Sequence, residues 1–245
     1  KTDGDKRYPF AAVLGDPVHH SLTPLEHDRF FIGYELPVFA IPVKREEADI
    51  ALPLLEKMGL QAAALTSPLK EIGARYFTGD AGLPANPQSV TREPVNTAVR
   101  TKSGWETTST DAAGFEALWK EAEDVIQQLE LPRDVIVWGG GGVLPALDTV
   151  LSRIASVGGR VQHLRASQPA ELSWAPSIVI WASGAQRGAW PKAFKPRLVI
   201  DLSYTDDSEA RAIAIEAKSR YISGLTMFRV QAERQREFWL KHLEK

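Results

Sequence analysis

The amino-acid sequence predicts an α/β protein built as two consecutive units, each a parallel-rich sheet flanked by helices, with one more helix at the end. Three observations predict it. Short apolar runs alternate with helical patterns in two separate series, as parallel strands joined by crossover helices require. Four glycines, Gly139–Gly142, follow the first strand of the second series and open a helix, which makes that unit Rossmann-like and doubly wound. A long helical pattern, Leu225–Leu243, comes after the second series.

In the first series, the apolar run Phe10–Leu14 ends at Gly15-Asp16-Pro17, a buried strand meeting a turn. Ser21-Leu22-Thr23-Pro24 opens a helix, because hydroxyl side chains can cap it and proline suits its first turn. Val38–Val43 reads as a strand, Glu46–Met58 as a helix stopped by Gly59, and Gln61–Thr66 as a third strand. Ser67-Pro68-Leu69-Lys70 leads into another helix. Val95 to Thr110 is extended, with a hairpin at Lys102-Ser103-Gly104, and Ala112–Leu129 is a long amphipathic helix. The second series starts with a strand at Asp134–Trp138 and continues through a helix to Val157. Strands at Arg160–Leu164, Ser177–Trp181 and Leu198–Leu202 follow, then a helix over Ser208–Lys218. One series gives way to the next in the helix before Asp134, so a domain boundary belongs there.

The 245 residues are 44% hydrophobic and 24% charged, which suffices for two cores. A formal net charge of −2 supplies no field to attract nucleic acid or an anionic membrane, and neither is an expected partner. The absence of cysteine excludes disulfides, thiolate metal sites and a cysteine nucleophile, and fits a cytoplasmic location. No segment reaches the roughly 18 apolar residues of a membrane span. The five histidines show no ligand spacing with a supporting carboxylate, so no metal is expected. Lys1 to Phe10 is charged and lacks a signal peptide's apolar core. The first residue is not Met, which leaves open a trimmed chain or a piece of a longer one.

Val135-Ile136-Val137-Trp138 running into Gly139-Gly140-Gly141-Gly142-Val143 has the layout that dinucleotide binding needs. Missing side chains let the backbone approach a pyrophosphate, and amides at the helix start face the anion. A tight glycine turn without a ligand is the other reading of these residues alone. The next strand ends His163-Leu164-Arg165, without the acid that would hold the ribose hydroxyls of NAD. Arg165 can face a 2′-phosphate there, which favours NADP and leaves NAD open, unless the guanidinium is only a solvated strand end.

Five separated motifs, in order along the whole chain, resemble the shikimate dehydrogenase family. They are Gly15-Asp16-Pro17-Val18-His19-His20-Ser21-Leu22-Thr23-Pro24, Leu65-Thr66-Ser67-Pro68-Leu69-Lys70-Glu71, Pro94-Val95-Asn96-Thr97-Ala98-Val99, Ser109-Thr110-Asp111-Ala112-Ala113-Gly114-Phe115 and Gly224-Leu225-Thr226-Met227-Phe228-Arg229-Val230-Gln231-Ala232. The resemblance implies an N-terminal α/β substrate domain over 1–111, a nucleotide domain over 112–223, and a C-terminal helix that returns, with 224–245, to the first. It implies hydride transfer between a ring carbon of shikimate and NADP, with Lys70 as general acid–base and Asp111 holding it. Ser21, Thr23 and Tyr204 correspond to groups that hold the substrate carboxylate. Thr66, Asn96 and Gln231 correspond to groups that read ring hydroxyls, a task suited to side chains that both donate and accept. Gly139, Gly140, Gly141, Gly142, Val143, Arg165, Trp181, Gly224 and Met227 fall on the cofactor side. Fusion to, or association with, other enzymes of the same pathway is a further implication.

The chain also departs from the family's pattern. Ala64 stands where the family places an asparagine, and Leu164-Arg165-Ala166 replaces Asn-Arg-Thr. Trp181-Ala182-Ser183 replaces Asn-Ala-Thr, which puts an indole beside the cofactor, there to stack on it, to fill its site, or to pack in the core. Pro145 falls in the first turn of the phosphate-facing helix. Weak cofactor binding is therefore expected. Three functions stay open: an NADP-dependent shikimate dehydrogenase, a dehydrogenase of quinate or a related cyclic polyol acid, and a relative without hydride transfer.

Overall fold

A computed structural model of the chain describes residues 8–79, 95–140, 143–165, 174–183, 190–191 and 194–243. The chain divides into two compact units, Lys1–Thr110 with Ala232–Lys245, and Asp111–Gln231.

The first unit holds strands β1 (Phe10–Gly15), β2 (Val38–Pro42), β3 (Leu60–Leu65), β4 (Thr97–Thr101) and β5 (Gly104–Thr108) in the order β2-β1-β3-β4-β5. β1 pairs in parallel with both β2 and β3, while β4 runs antiparallel to β3 and closes a hairpin with β5. Helices α1 (Thr23–Phe31), α2 (Ala48–Met58) and α3 (Lys70–Phe77) make the connections. Side chains alternate along a strand, so the fully buried β1 feeds two cores. Phe10, Ala12 and Leu14 pack with Leu52 and Leu55 of α2 and with Ile72 and Phe77 of α3. Ala11 and Val13 pack with Phe31 of α1 and with Trp239 from the C-terminal helix.

The second unit contains α4 (Asp111–Gln128), β6 (Asp134–Gly139), α5 (Leu144–Ser156), β7 (Arg160–Leu164), β8 (Ile178–Ala182), β9 (Leu198–Asp201), α6 (Glu209–Ala217) and β10 (Arg220–Ile222). The start of α7 (Leu225–Leu243) completes it. The strands run in the order β10-β9-β8-β6-β7, all parallel. The same alternation builds its two cores. Val135, Val137, Ile178 and Ile180 pack with Leu118 of α4, Leu147 of α5 and Met227 of α7. Ile136, Trp138, Val179 and Trp181 pack with Ala210 and Ala214 of α6.

The structure differs from the sequence reading in four local features. A 3-10 turn at Arg45–Glu47 precedes α2, which starts at Ala48. β10 is an added strand, too short at three residues to show a period. The cap position of α1 is Leu22, without a side-chain cap bond; Ser21 Oγ accepts from Thr23 N–H instead, at 3.2 Å. The sequence puts 224–245 wholly with the first unit, whereas the division falls inside α7, after Gln231, because Met227 enters the second unit's core. No helix among the described residues is long and apolar enough to cross a membrane.

One buried polar contact ties α1 to α7 within the first unit. His27 is 0% exposed and its Nε2 donates to Gln235 Oε1 at 3.3 Å. The ring lies 4.8 Å from the Trp239 ring and 6.0 Å from Phe31, and Nδ1 has no hydrogen-bond partner. Burial lowers its pKa from 6.5 to about 4; the Gln235 bond opposes the shift and the Arg236 charge adds to it. An unfolded chain takes up this proton below pH 6.5, while the folded one stays neutral down to about 4. Stability is therefore lost as pH falls through that window, by about 3 kcal/mol at most. Denaturant unfolding between pH 7 and pH 4 should show that loss in the wild type. His27→Phe, whose ring cannot titrate, should flatten the slope whatever its offset, and an unchanged slope would clear His27 of the effect.

Candidate active site

Open parallel sheets form their crevice at the carboxyl ends of the strands, where the winding reverses. In the first unit that point lies between β1 and β3. Gly15 ends β1, and a Cβ there would stand 2.4 Å from Thr66 Cγ2 and 2.6 Å from Ser67 O. Only glycine lets the two strand exits touch this closely. Thr66 N–H donates to Leu14 O at 2.9 Å and Asp16 N–H to Ser67 O at 3.0 Å, which locks the exits together.

The predicted substrate residues of this unit follow those exits. Ser21 and Thr23 come after β1, and Ser21 Oγ donates to Thr23 Oγ1 at 3.0 Å. Thr66 and Lys70 come after β3; both are half-buried, and Lys70 is the first residue of α3. Asn96 immediately precedes β4, and its carbonyl accepts from Leu65 N–H at 2.8 Å, which holds it to the end of β3. Its side chain is buried. Oδ1 accepts from Thr110 N–H at 2.9 Å and from the Thr97 hydroxyl at 2.8 Å, and Nδ2 donates to Thr110 Oγ1 at 3.0 Å. Asn96 thus fixes the residue before Asp111, a structural task that the sequence does not announce. Ala64 packs in the apolar cluster of Val13, Phe31 and Trp239.

In the second unit, Asp111 opens α4, is 1% exposed, and accepts from Gln231 Nε2 at 2.7 Å through Oδ1. The two helices approach closely here, since a Cβ on Gly114 would lie 2.7 Å from Gln231 Cγ. A predicted catalytic residue and a predicted substrate residue are thereby joined. Lys70 belongs to the first unit and Asp111 to the second. Tyr204 is half-buried, with its ring 4.7 Å from that of Phe228. Gly224 N–H donates to Ser203 O at 2.8 Å. Sequence reading gives no role to Asp201, a buried carboxylate at the end of β9; its only signal is an acid closing the apolar run Leu198-Val199-Ile200.

The nucleotide switch point lies between β6 and β8. Gly139 ends β6 at φ 84°, and a Cβ there would stand 2.6 Å from Ser183 Cα. Gly140 N–H donates to Ala182 O at 3.1 Å, and His163 Nε2 bonds Gly139 O, so the glycine exit is tied to its neighbours on both sides. Val143 occupies the cap position of α5, and Pro145 sits in the first turn, where amides lack intrahelical partners. Arg165 is exposed just beyond β7. Gly141, Gly142 and Ala166 lie outside the described residues. A parallel switch point, a glycine exit, a helix start and a guanidinium beyond the adjacent strand fit a dinucleotide. Among the described residues, no group of three or more His, Asp or Glu could hold a metal ion.

Two residues expected on the cofactor side sit in the core. Trp181 is 1% exposed, stacked on Trp138 at 6.1 Å and tilted against Trp190 at 5.8 Å. Strand alternation sends its indole to the α6 face, so it packs in the core rather than walling the crevice. Met227 is buried in the opposite core, among side chains of α4 and α5.

No protein-family model matches the chain. Among curated proteins, a shikimate dehydrogenase (NADP(+)) from Gloeothece citriformis is 32% identical over 140 residues, 55% of this chain and 44% of that protein. One from Prochlorococcus marinus is 31% identical over 109 residues, 43% of this chain and 36% of that protein. The chain therefore spans less than half the length of these relatives. Among solved structures, shikimate dehydrogenase 1 from Peptoclostridium difficile superposes with a TM-score of 0.68 at 18% identity, covering 95% of this chain and 92% of that one. The shikimate 5-dehydrogenase from Thermus thermophilus in complex with NADP(H) and shikimate gives 0.60 at 20% identity, covering 95% and 94%. These likenesses establish the two-unit fold.

Because its indole fills the core, Trp181→Ala should destabilise the second unit by about 3–5 kcal/mol. Denaturant unfolding measures this, and a loss below about 1 kcal/mol would place the ring outside the core.

Proposed function

We propose that this relative of the shikimate dehydrogenases is an NADP-dependent shikimate dehydrogenase, interconverting shikimate and 3-dehydroshikimate on the way to chorismate. The observation that carries the reading is the grouping of Ser21, Thr23, Thr66, Lys70 and Asn96 at one end of the first sheet. That end is a switch point, where a parallel sheet opens toward a ligand. Hydroxyl, amide and amine groups collected there suit a polyhydroxy acid, which needs both donors and acceptors.

In this mechanism Ser21, Thr23 and Tyr204 bind the substrate carboxylate through neutral hydrogen bonds. Thr66, Asn96 and Gln231 select among ring hydroxyls. Lys70 takes the proton from the reacting hydroxyl during oxidation and returns it to the carbonyl oxygen during reduction, with Asp111 the second catalytic group. A lysine accepts that proton only as the neutral amine. NADP, when bound, supplies the hydride acceptor; Gly139 and Gly140, lacking side chains, would let its pyrophosphate approach the backbone, the amides at the start of α5 would hold that pyrophosphate, and Arg165 would hold the 2′-phosphate.

A second reading, ligand binding without hydride transfer, is favoured by one observation. The Gly140 amide is already committed to Ala182 O and is not available to a phosphate.

Two variants test the mechanism. Lys70→Ala should keep the fold and shikimate binding while turnover falls about 100-fold or more, as for loss of a general acid–base. Undiminished turnover would remove Lys70 from the chemistry. Arg165→Ala should weaken NADP by about 10–100-fold and leave NAD nearly unchanged, because it deletes charge-assisted bonds worth about 1.5–3 kcal/mol. Equal effects on both cofactors, read by calorimetry, would show that Arg165 faces elsewhere.

A further inference from the structure

Asp201 ends β9 with its side chain fully buried. Burial raises its carboxyl above the ordinary carboxylate range, against the opposing effect of its hydrogen bonds. Such a group is costly unless it is bonded on all sides. Oδ1 accepts from Ser203 N–H at 2.8 Å. Oδ2 accepts from the Tyr221 hydroxyl at 2.8 Å and also from the Ser208 hydroxyl. One carboxylate therefore joins the exit of β9, the start of α6 and strand β10.

Ser208 supplies an independent sign of how these bonds are arranged. It occupies the cap position of α6 in an extended conformation, φ −61° and ψ 134°, where serine ordinarily caps. It makes no cap bond. Its hydroxyl is turned to Asp201 instead.

The segment held by these bonds contains Tyr204. Leu202 N–H donates to Trp181 O at 3.0 Å, and Gly224 N–H to Ser203 O at 2.8 Å, which tie its backbone to β8 and to the approach to α7. The Tyr204 ring then packs on Phe228. We propose that Asp201 is a positioning residue that fixes residues 202–205 through the Ser203 amide, so that Tyr204 presents its hydroxyl to the substrate carboxylate. The ligand's identity rests on the function proposed above, whereas the hold on the segment does not.

Two measurements on Asp201→Asn test it. The amide keeps the shape but puts a donor where one oxygen accepted, so at least one of the present donors loses its acceptor. In the unliganded protein, hydrogen exchange of residues 202–205 should quicken about tenfold or more while that of β6 stays as in the wild type. Calorimetry should show shikimate affinity falling about tenfold with NADP affinity unchanged, as for one lost hydrogen bond to a charged group. Adding Tyr204→Phe should then cost less than it does in the wild type, because the hydroxyl is already misplaced. Unchanged exchange at 202–205 overturns the proposal, and so does a uniform rise accompanied by weaker binding of both ligands. A wild type that binds no shikimate defeats the proposed function, while exchange still decides whether Asp201 holds the segment. Should Asp201→Asn fail to fold, Ser208→Ala with Tyr221→Phe keeps the carboxylate and removes two of its anchors. Local acceleration confined to 202–205 supports the proposal there, and acceleration everywhere or nowhere refutes it.

Discussion

Two backbone approaches too close for any side chain govern this molecule: Gly15 against Thr66 and Ser67 in one sheet, and Gly139 against Ser183 in the other. Each glycine ends the strand from which the winding of its sheet departs, and each faces the exit of the strand across the switch point. A methyl group at either position would force strand exits apart that are now joined by backbone hydrogen bonds. The residues that follow those exits inherit their positions from the contact. Ser21, Thr23, Thr66 and Lys70 are placed in this way in the first unit. In the second unit, the approach to α5 is placed in the same way. One physical device thus serves two different sheets, and each unit carries its candidate ligand groups on the segments that the glycine brings together.

Around these exits, buried polar side chains do their work on the neighbouring backbone. Leaving a buried donor or acceptor unpaired costs about 1–3 kcal/mol, so such groups are bonded internally and stiffen whatever they bond. Asn96 bonds Thr110, the residue before Asp111. Asp201 bonds Ser203, the residue before Tyr204. In both cases a buried amide or carboxylate fixes the residue immediately preceding a proposed functional one. The functional side chain thereby starts from a fixed backbone origin.

Apart from β10, the element order, the parallel-rich character of both sheets and the glycine exits are legible in the sequence because their signals are local: alternating series, apolar runs and a glycine cluster between strand and helix. The direction of Trp181 is not legible. β8 is buried on both faces, so its run of apolar residues carries no alternation to tell one face from the other. Only the register with β6, which sets Trp181 beside Trp138, reveals that the indole faces α6. The place where α7 passes from one unit to the other is hidden for a similar reason, since its pattern is continuous and the change of partner at Gln231 is tertiary. The internal tasks of Asn96 and Asp201 are equally long-range, with partners at Thr110, Ser208 and Tyr221 that no local motif connects.

The proposed activity is the oxidation of shikimate with NADP. The most direct measurement is the appearance of reduced-nicotinamide absorbance with the wild-type protein, using shikimate or quinate paired with NADP or NAD. Shikimate with NADP should give the highest kcat/KM of the four pairs. No reduction with any pair would contradict it and leave the ligand-binding reading in its place.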